Sequence, residues 1–162
     1  MPLAIATDLG QQHEQRGRHL LEAFARHTRS QLIVTDPQAT AALDAVFHRD
    51  GVLVAVAEAK TRVRYDYAAI AEYGTYLITH DKLETLQQVS TALAVPSFLV
   101  TELSDGVRLY WQLTDASGRE TLRYRVTASE TLATSVGTER VIRVNAYLPL
   151  AAAVHWGSAT TP

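Results

Sequence analysis

The residues best equipped for chemistry stand at the end of one short stretch, GVLVAVAEAK, Gly51 to Lys60, where Glu58 and Lys60 are separated by a single alanine. In an extended strand side chains alternate, so residues two apart share a face. A carboxylate and an ammonium on a hydrophobic strand are costly to bury unless something completes them. Upstream, Asp44 interrupts a run of small and apolar residues, AALDAVFH. Near the start, Gly17, Leu21 and Phe24 make an apolar helical stripe, and Glu14 falls on that stripe one turn earlier. Two or three carboxylates converging near one amine suit a hard divalent cation. Mg²⁺ in particular takes one or two carboxylates, keeps several waters and accepts a substrate phosphate. Such an ion acidifies bound water and offsets charge on a phosphorane-like transition state. A lysine beside it can orient the attacking water or neutralise developing charge.

The elements that must position these groups are readable in outline. Residues 8–27 read as a helix, opened by Asp8 with Gln11 at capping-box spacing. QLIVTD is a short strand, and AALDAVFH and VLVAVAEAK are strands joined at RDG. Residues 66–73 read as a short helix ending at Gly74. THDKLETLQQVSTALA reads as a clearer one, with Asp81 as cap and Glu84 reciprocal to it. PSFLVTEL and VRLYWQL are strands around the turn SDG, and TLRYRVT and RVIRVNAYL alternate like a further hairpin or extension. This order predicts an α/β fold, a mixed central sheet flanked by helices. Parity constrains the RDG turn. A three-residue loop, Arg49-Asp50-Gly51, sets His48 opposite Val52 and Asp44 opposite Val56, with Asp44 and Glu58 diagonal neighbours on one face. A two-residue loop without a bulge would turn Asp44 away. The sequence therefore predicts an odd-numbered loop, or an even one with a compensating bulge.

Composition narrows the class. With 162 residues, 47% hydrophobic and 20% charged, the chain predicts one soluble domain with a real core. There is no cysteine, which excludes disulfides and thiolate metal sites. The start, MPLAIATDLG, lacks the basic region and long apolar core of a signal peptide, and the uncharged tail is interrupted by Asn145, Pro149 and His155. A cytoplasmic protein without a membrane partner is expected. Of the fifteen Lys plus Arg, only Lys60 and Lys82 are lysine, leaving thirteen arginines. Where arginine is the habitual cation, a lysine can be present for its own chemistry, although a GC-rich genome also explains the bias. No Walker loop, dinucleotide fingerprint or nucleophile elbow occurs, and the six histidines lack helical zinc spacing.

The stretch LDAVFHRDGVLVAVAEAK, with Asp44 followed by Glu58-Ala59-Lys60, resembles the core motif of the PD-(D/E)XK nuclease superfamily. The resemblance spans residues 14–111, and its element order is that of the Holliday-junction-resolvase-like and RecB-like branches. Leu43 stands where the nominal motif has proline. The Gln-x-x-x-Tyr signature of the RecB-like branch is absent, Gln87 being followed four later by Thr91 and Gln88 by Ala92. The resemblance implies a restriction-endonuclease-like αβββαβ core over about 8–113 with a β extension over about 114–162, all in one domain. It implies a Mg²⁺- or Mn²⁺-dependent deoxyribonuclease with DNA as partner and a homodimer as candidate assembly. It makes Asp44, Glu58 and the Ala59 backbone carbonyl the metal ligands, Lys60 the residue that assists the nucleophilic water, and Glu14 an auxiliary acid. Branched or phage- or plasmid-processed DNA is the expected substrate. The alternative is a nuclease-fold protein that binds nucleic acid or a partner without cutting. Arg16, Arg18, Arg62 and Arg64, with Lys82, could line a phosphate-contacting rim or a solvated face. Tyr65, Tyr67, Tyr73 and Tyr76 could stack on unpaired bases or pack on the sheet.

Overall fold

The computed structural model describes residues 8–34, 43–133 and 137–158. Helix α1, Asp8–His27, leads into strand β1, Gln31–Val34, and the hairpin of β2, Ala45–Arg49, and β3, Val52–Thr61. Helix α2, Tyr67–Tyr73, strand β4, Thr75–Thr79, and helix α3, His80–Leu93, then carry the chain to β5, Ser97–Glu102, and β6, Val107–Thr114. Strands β7, Arg125–Leu132, and β8, Arg140–Pro149, precede a 3-10 turn and β9, Val154–Ser158. The main sheet is six-stranded and mixed, in the order β1-β2-β3-β5-β6-β9, and a second sheet has the order β4-β8-β7. Among the described residues, only β3 and β5 pair in parallel in the main sheet. A parallel pair needs a crossover, which the α2-β4-α3 segment supplies. Among the described residues no helix is long and apolar enough to cross a membrane.

Alternation along β3 decides what packs on each face. Ala55 and Ala57 join Leu20, Leu21 and Phe24 of α1, together with Ala45, Phe47 and Trp156. Small residues at these positions let the helix settle close to the strand, with Phe24 edge-on to Phe47 at 5.7 Å. Val56, one residue out of phase, points instead into a core with Leu83 and Leu86 of α3, Tyr76 and Ile78 of β4, Leu99, Trp111 and Leu148. Each such fully buried side chain is worth roughly 1.5–3 kcal/mol.

The hairpin differs from the three-residue form and takes the other permitted one. Its loop is the pair Asp50-Gly51, both with positive φ (51° and 78°), as a type I′ turn requires. Arg49 opposes Val52 and His48 opposes Leu53, but Phe47 opposes Ala55, so β3 carries one extra residue at a bulge. Ala45 then opposes Ala57, and continuing the register by one residue brings Asp44 opposite Glu58. The bulge restores the parity that the short loop would have lost.

Three further expectations are corrected. Helix α3 begins at His80 with Thr79 at its N-cap and no side-chain capping bond, so Asp81 sits in the first turn instead of capping it. Residues 75–79 form a strand that local pattern did not mark, because β4 is short and pairs with the distant β8. Residues 154–158 likewise form a strand, on the edge beside β6. By contrast, α2 is capped as its sequence suggests: the Asp66 carboxylate accepts from Ala69 N–H, and Gly74 closes it at φ 66°. The Asp8 cap and residues 35–42 of the strand regions lie outside the described residues.

Candidate active site

The end of β3 runs past the start of β2, and there the sheet opens into a cleft. Glu58 is 1% exposed. Its Oε1 lies 3.2 Å from Lys60 Nζ, the neighbour two residues along the same face, and 3.5 Å from Lys82 Nζ in the first turn of α3. Its other oxygen, Oε2, is buried with no hydrogen-bond partner among the described residues. A buried carboxylate oxygen left unsatisfied costs a few kcal/mol, so a further positive group beside it would be stabilising.

Asp44 is held in place from the same strand. Its Oδ2 accepts the Ala59 backbone N–H at 2.8 Å. In an extended strand the N–H and C=O of one residue point to the same side. The Ala59 carbonyl therefore leaves β3 toward Asp44. Burial, and next the charge of Glu58, push the Asp44 carboxyl up to about 6, against the opposing pull of the Ala59 N–H, Lys60 and Lys82. Asp44, made costlier to ionise by the neighbouring Glu58 charge, stands with Glu58 beside a backbone carbonyl turned their way, an oxygen-rich donor set that suits a hard cation.

The cleft encloses about 250 Å³ and is lined by His13, Glu14, Gly17, Arg18 and Leu21 from α1, Asp44, Glu58 to Thr61 of β3, and Lys82 of α3. A larger depression of about 770 Å³ lies between Gln87 and residues 119–123, but it gathers no paired acids and amines. Volume therefore does not identify the site; the buried charges do. His13 reaches Thr61 Oγ1 at 3.1 Å through Nδ1. Burial, followed by Arg16, Lys60 and Arg62, lowers its pKa below the ordinary 6.5. These neighbours disfavour the charged imidazole at the cleft wall, and no local pattern in the sequence marks His13 out.

The remaining candidates separate. Glu14 reaches the cleft wall on the stripe that also carries Gly17 and Leu21. Among the described residues, however, no three acids or histidines gather tightly enough to hold a metal by side chains alone, so Glu14 does not close into a triad with Asp44 and Glu58. Arg18 is exposed on the cleft wall. Arg16 pairs with Glu102 at 3.4 Å. Arg62 turns inward, its Nε donating to Tyr76 Oη at 3.0 Å and its Nη2 to the Leu77 carbonyl at 2.6 Å. Tyr76 Oη lies 2.7 Å from Thr101 Oγ1, which donates to the Lys60 carbonyl at 2.7 Å. Arg62 and Tyr76 thus brace the backbone of Lys60, and Tyr76, fully buried, offers no stacking face. Arg64 is exposed and donates to the Gly137 carbonyl. Tyr65 and Tyr73 are exposed, and Tyr67 packs edge-on against His155.

A mixed sheet with helices on its faces, a hairpin that brings Asp44 to Glu58, and a lysine two residues on define a PD-(D/E)XK-type nuclease core. Residues 6–125 match the family described as "Phage putative PDDEXK endonuclease", and the chain belongs to that nuclease family. Among solved structures it is similar to Archaeoglobus fulgidus Hjc, a Holliday junction resolvase from an archaeal hyperthermophile. That similarity has 12% identity over 60% of this chain and 75% of that one, with a TM-score of 0.45. No curated protein matches the chain.

Proposed function

We propose that the protein is a Mg²⁺- or Mn²⁺-dependent deoxyribonuclease that hydrolyses phosphodiester bonds by direct attack of water. Its substrate is branched or phage- or plasmid-processed DNA in the cytoplasm, cut internally to leave 5′-phosphate and 3′-hydroxyl ends. The observation that carries this reading is the buried Glu58 carboxylate, with Oε1 on two ammoniums and Oε2 on no partner among the described residues. Glu58, Asp44 and the Ala59 carbonyl would hold the ion. When bound, it supplies Lewis-acid charge to the phosphate and a more acidic water.

The chain's own residues do the rest. The Ala59 N–H fixes the Asp44 carboxylate, so its orientation costs nothing further when substrate arrives. Lys60 presents an ammonium at the cleft, where it orients the attacking water and meets negative charge as it develops on phosphorus. The Arg62–Tyr76–Thr101 relay pins the Lys60 backbone and with it the origin of that side chain. Arg18 on the cleft wall and the exposed Arg64 would meet flanking phosphates.

Purified protein incubated with supercoiled, single-stranded and four-way-junction DNA, in Mg²⁺, Mn²⁺ or EDTA, tests the reading. Cleavage in either metal and none in EDTA is expected. Binding without cleavage in every condition would replace the enzyme by a DNA-binding protein.

A further inference from the structure

Both lysines of the chain end on one oxygen. Lys60 comes from β3 and Lys82 from α3, yet both stand on Glu58 Oε1, at 3.2 and 3.5 Å. Every other cation of this kind is arginine. Three of the arginines brace the fold: Arg49 donates to the Thr28 and Arg29 carbonyls, Arg62 to Tyr76 and Leu77, and Arg108 to Glu102. A guanidinium is a planar fork that grips a carboxylate through two parallel bonds. An ammonium is a compact, strongly hydrated charge on a flexible stem and exchanges acceptors readily. Lysine stands where the cation has to let go of Glu58.

We propose that Lys82 is a second catalytic ammonium. It rests on Glu58 in the metal-free protein and passes to a non-bridging oxygen of the scissile phosphodiester when a divalent cation takes Glu58. The proposal rests on the nuclease reading and assigns a further residue to it. Its side chain is 37% exposed and lines the cleft, so the stem has room to swing.

Charge explains why a second ammonium is needed. The ionised pair Asp44 and Glu58 is balanced by Lys60 and Lys82, and a divalent cation then leaves two positive charges in excess. A bound phosphodiester brings one negative charge, and the phosphorane formed by attack carries two, so the balance is reached only in the transition state. In that step a bond forms from the water oxygen to phosphorus, and the bond to the 3′-oxygen breaks with its electron pair on that oxygen. The proton lost by water goes to solvent, the 3′-oxygen takes one from solvent, and Lys82 keeps its proton throughout. A charge matched to the transition state raises the rate more than the affinity.

The test uses the full chain with Lys82→Met, which keeps the aliphatic stem, and Lys82→Arg. In Mn²⁺ calorimetry without DNA, Lys82→Met should bind the ion on the order of tenfold more tightly, because a competing positive charge beside Glu58 is gone. In single-turnover cleavage at saturating Mn²⁺ it should be about 10²–10³-fold slower, with KM changed by no more than about threefold. Lys82→Arg should bind Mn²⁺ more weakly than wild type and cleave at least about tenfold more slowly, since a fork does not release the carboxylate. Full cleavage by Lys82→Met overturns the proposal, as does a loss of rate in Lys82→Met accompanied by weaker Mn²⁺ binding, which would mark a structural prop. A wild type that binds Mn²⁺ and cleaves no DNA overturns the nuclease reading itself, and this assignment with it.

Discussion

Replacing Asp44 by asparagine should make the metal-free protein more stable, although it removes a proposed ligand. The Asp44 carboxyl is pushed from an ordinary 3.8 up to about 6 by burial and by Glu58. At 1.36 kcal/mol per tenfold, full ionisation in the folded protein costs about 3 kcal/mol relative to the unfolded chain. Asp44 keeps some contact with solvent, so about 2 kcal/mol is the working figure. Asparagine keeps an oxygen to accept the Ala59 N–H and carries no charge. For a chain of this size the gain corresponds to a rise in Tm of about 4–8 °C. Its pH dependence has a definite sign. The folded protein binds this proton more readily than the unfolded chain, so the Asp44 contribution to wild-type stability falls as pH rises between 3.8 and about 6. The advantage of Asp44→Asn should therefore be full at pH 8 and shrink toward zero near pH 4. Thermal melts of both proteins in EDTA at the two pH values measure it, and excess Mn²⁺ should reverse the ranking by stabilising the wild type alone. A mutant less stable than wild type at pH 8 in EDTA, or an advantage indifferent to pH, would refute the reasoning.

Lys60→Ala should lose about 10²–10³-fold in cleavage rate, equivalent to about 2.7–4 kcal/mol of transition-state stabilisation, while folding and DNA binding persist in circular dichroism and gel-shift assays. Glu58→Gln should weaken Mn²⁺ binding in calorimetry, because an amide oxygen carries no formal charge for a hard cation; equal affinity would remove Glu58 from the ligands. Tyr76→Phe should cost about 1–2 kcal/mol in urea unfolding, since it strips the Arg62 guanidinium and Thr101 hydroxyl of their shared partner. A smaller drop in cleavage rate should accompany it as the Lys60 backbone loosens.

Glu58 and Lys60 were legible because strand alternation is local, and two charges closing a hydrophobic run break its pattern. Glu14 could be placed on the cleft wall by helical periodicity alone, but periodicity says nothing of how far a side chain sits from its neighbours across the cleft. The bulge was only half legible. The run VLVAV has no polar residue to mark a slipped register, so parity could demand a bulge without locating it. Strands β4 and β9 were missed because each is short and owes its existence to a partner far away in sequence, β8 and β6. The same holds for Arg62 and Tyr76. Their inward turn depends on β4 lying beside the end of β3, a tertiary fact. Lys82 stood out by its residue type, and only the packing of α3 on the sheet shows that it reaches Glu58.

The most direct test of the metal site is a crystal soaked in Mn²⁺ and measured for anomalous scattering. A peak bonded to Glu58, Asp44 and the Ala59 carbonyl is expected, with Lys82 withdrawn from Glu58. A soaked crystal with no peak in the cleft, and both ammoniums still seated on Glu58, would contradict it.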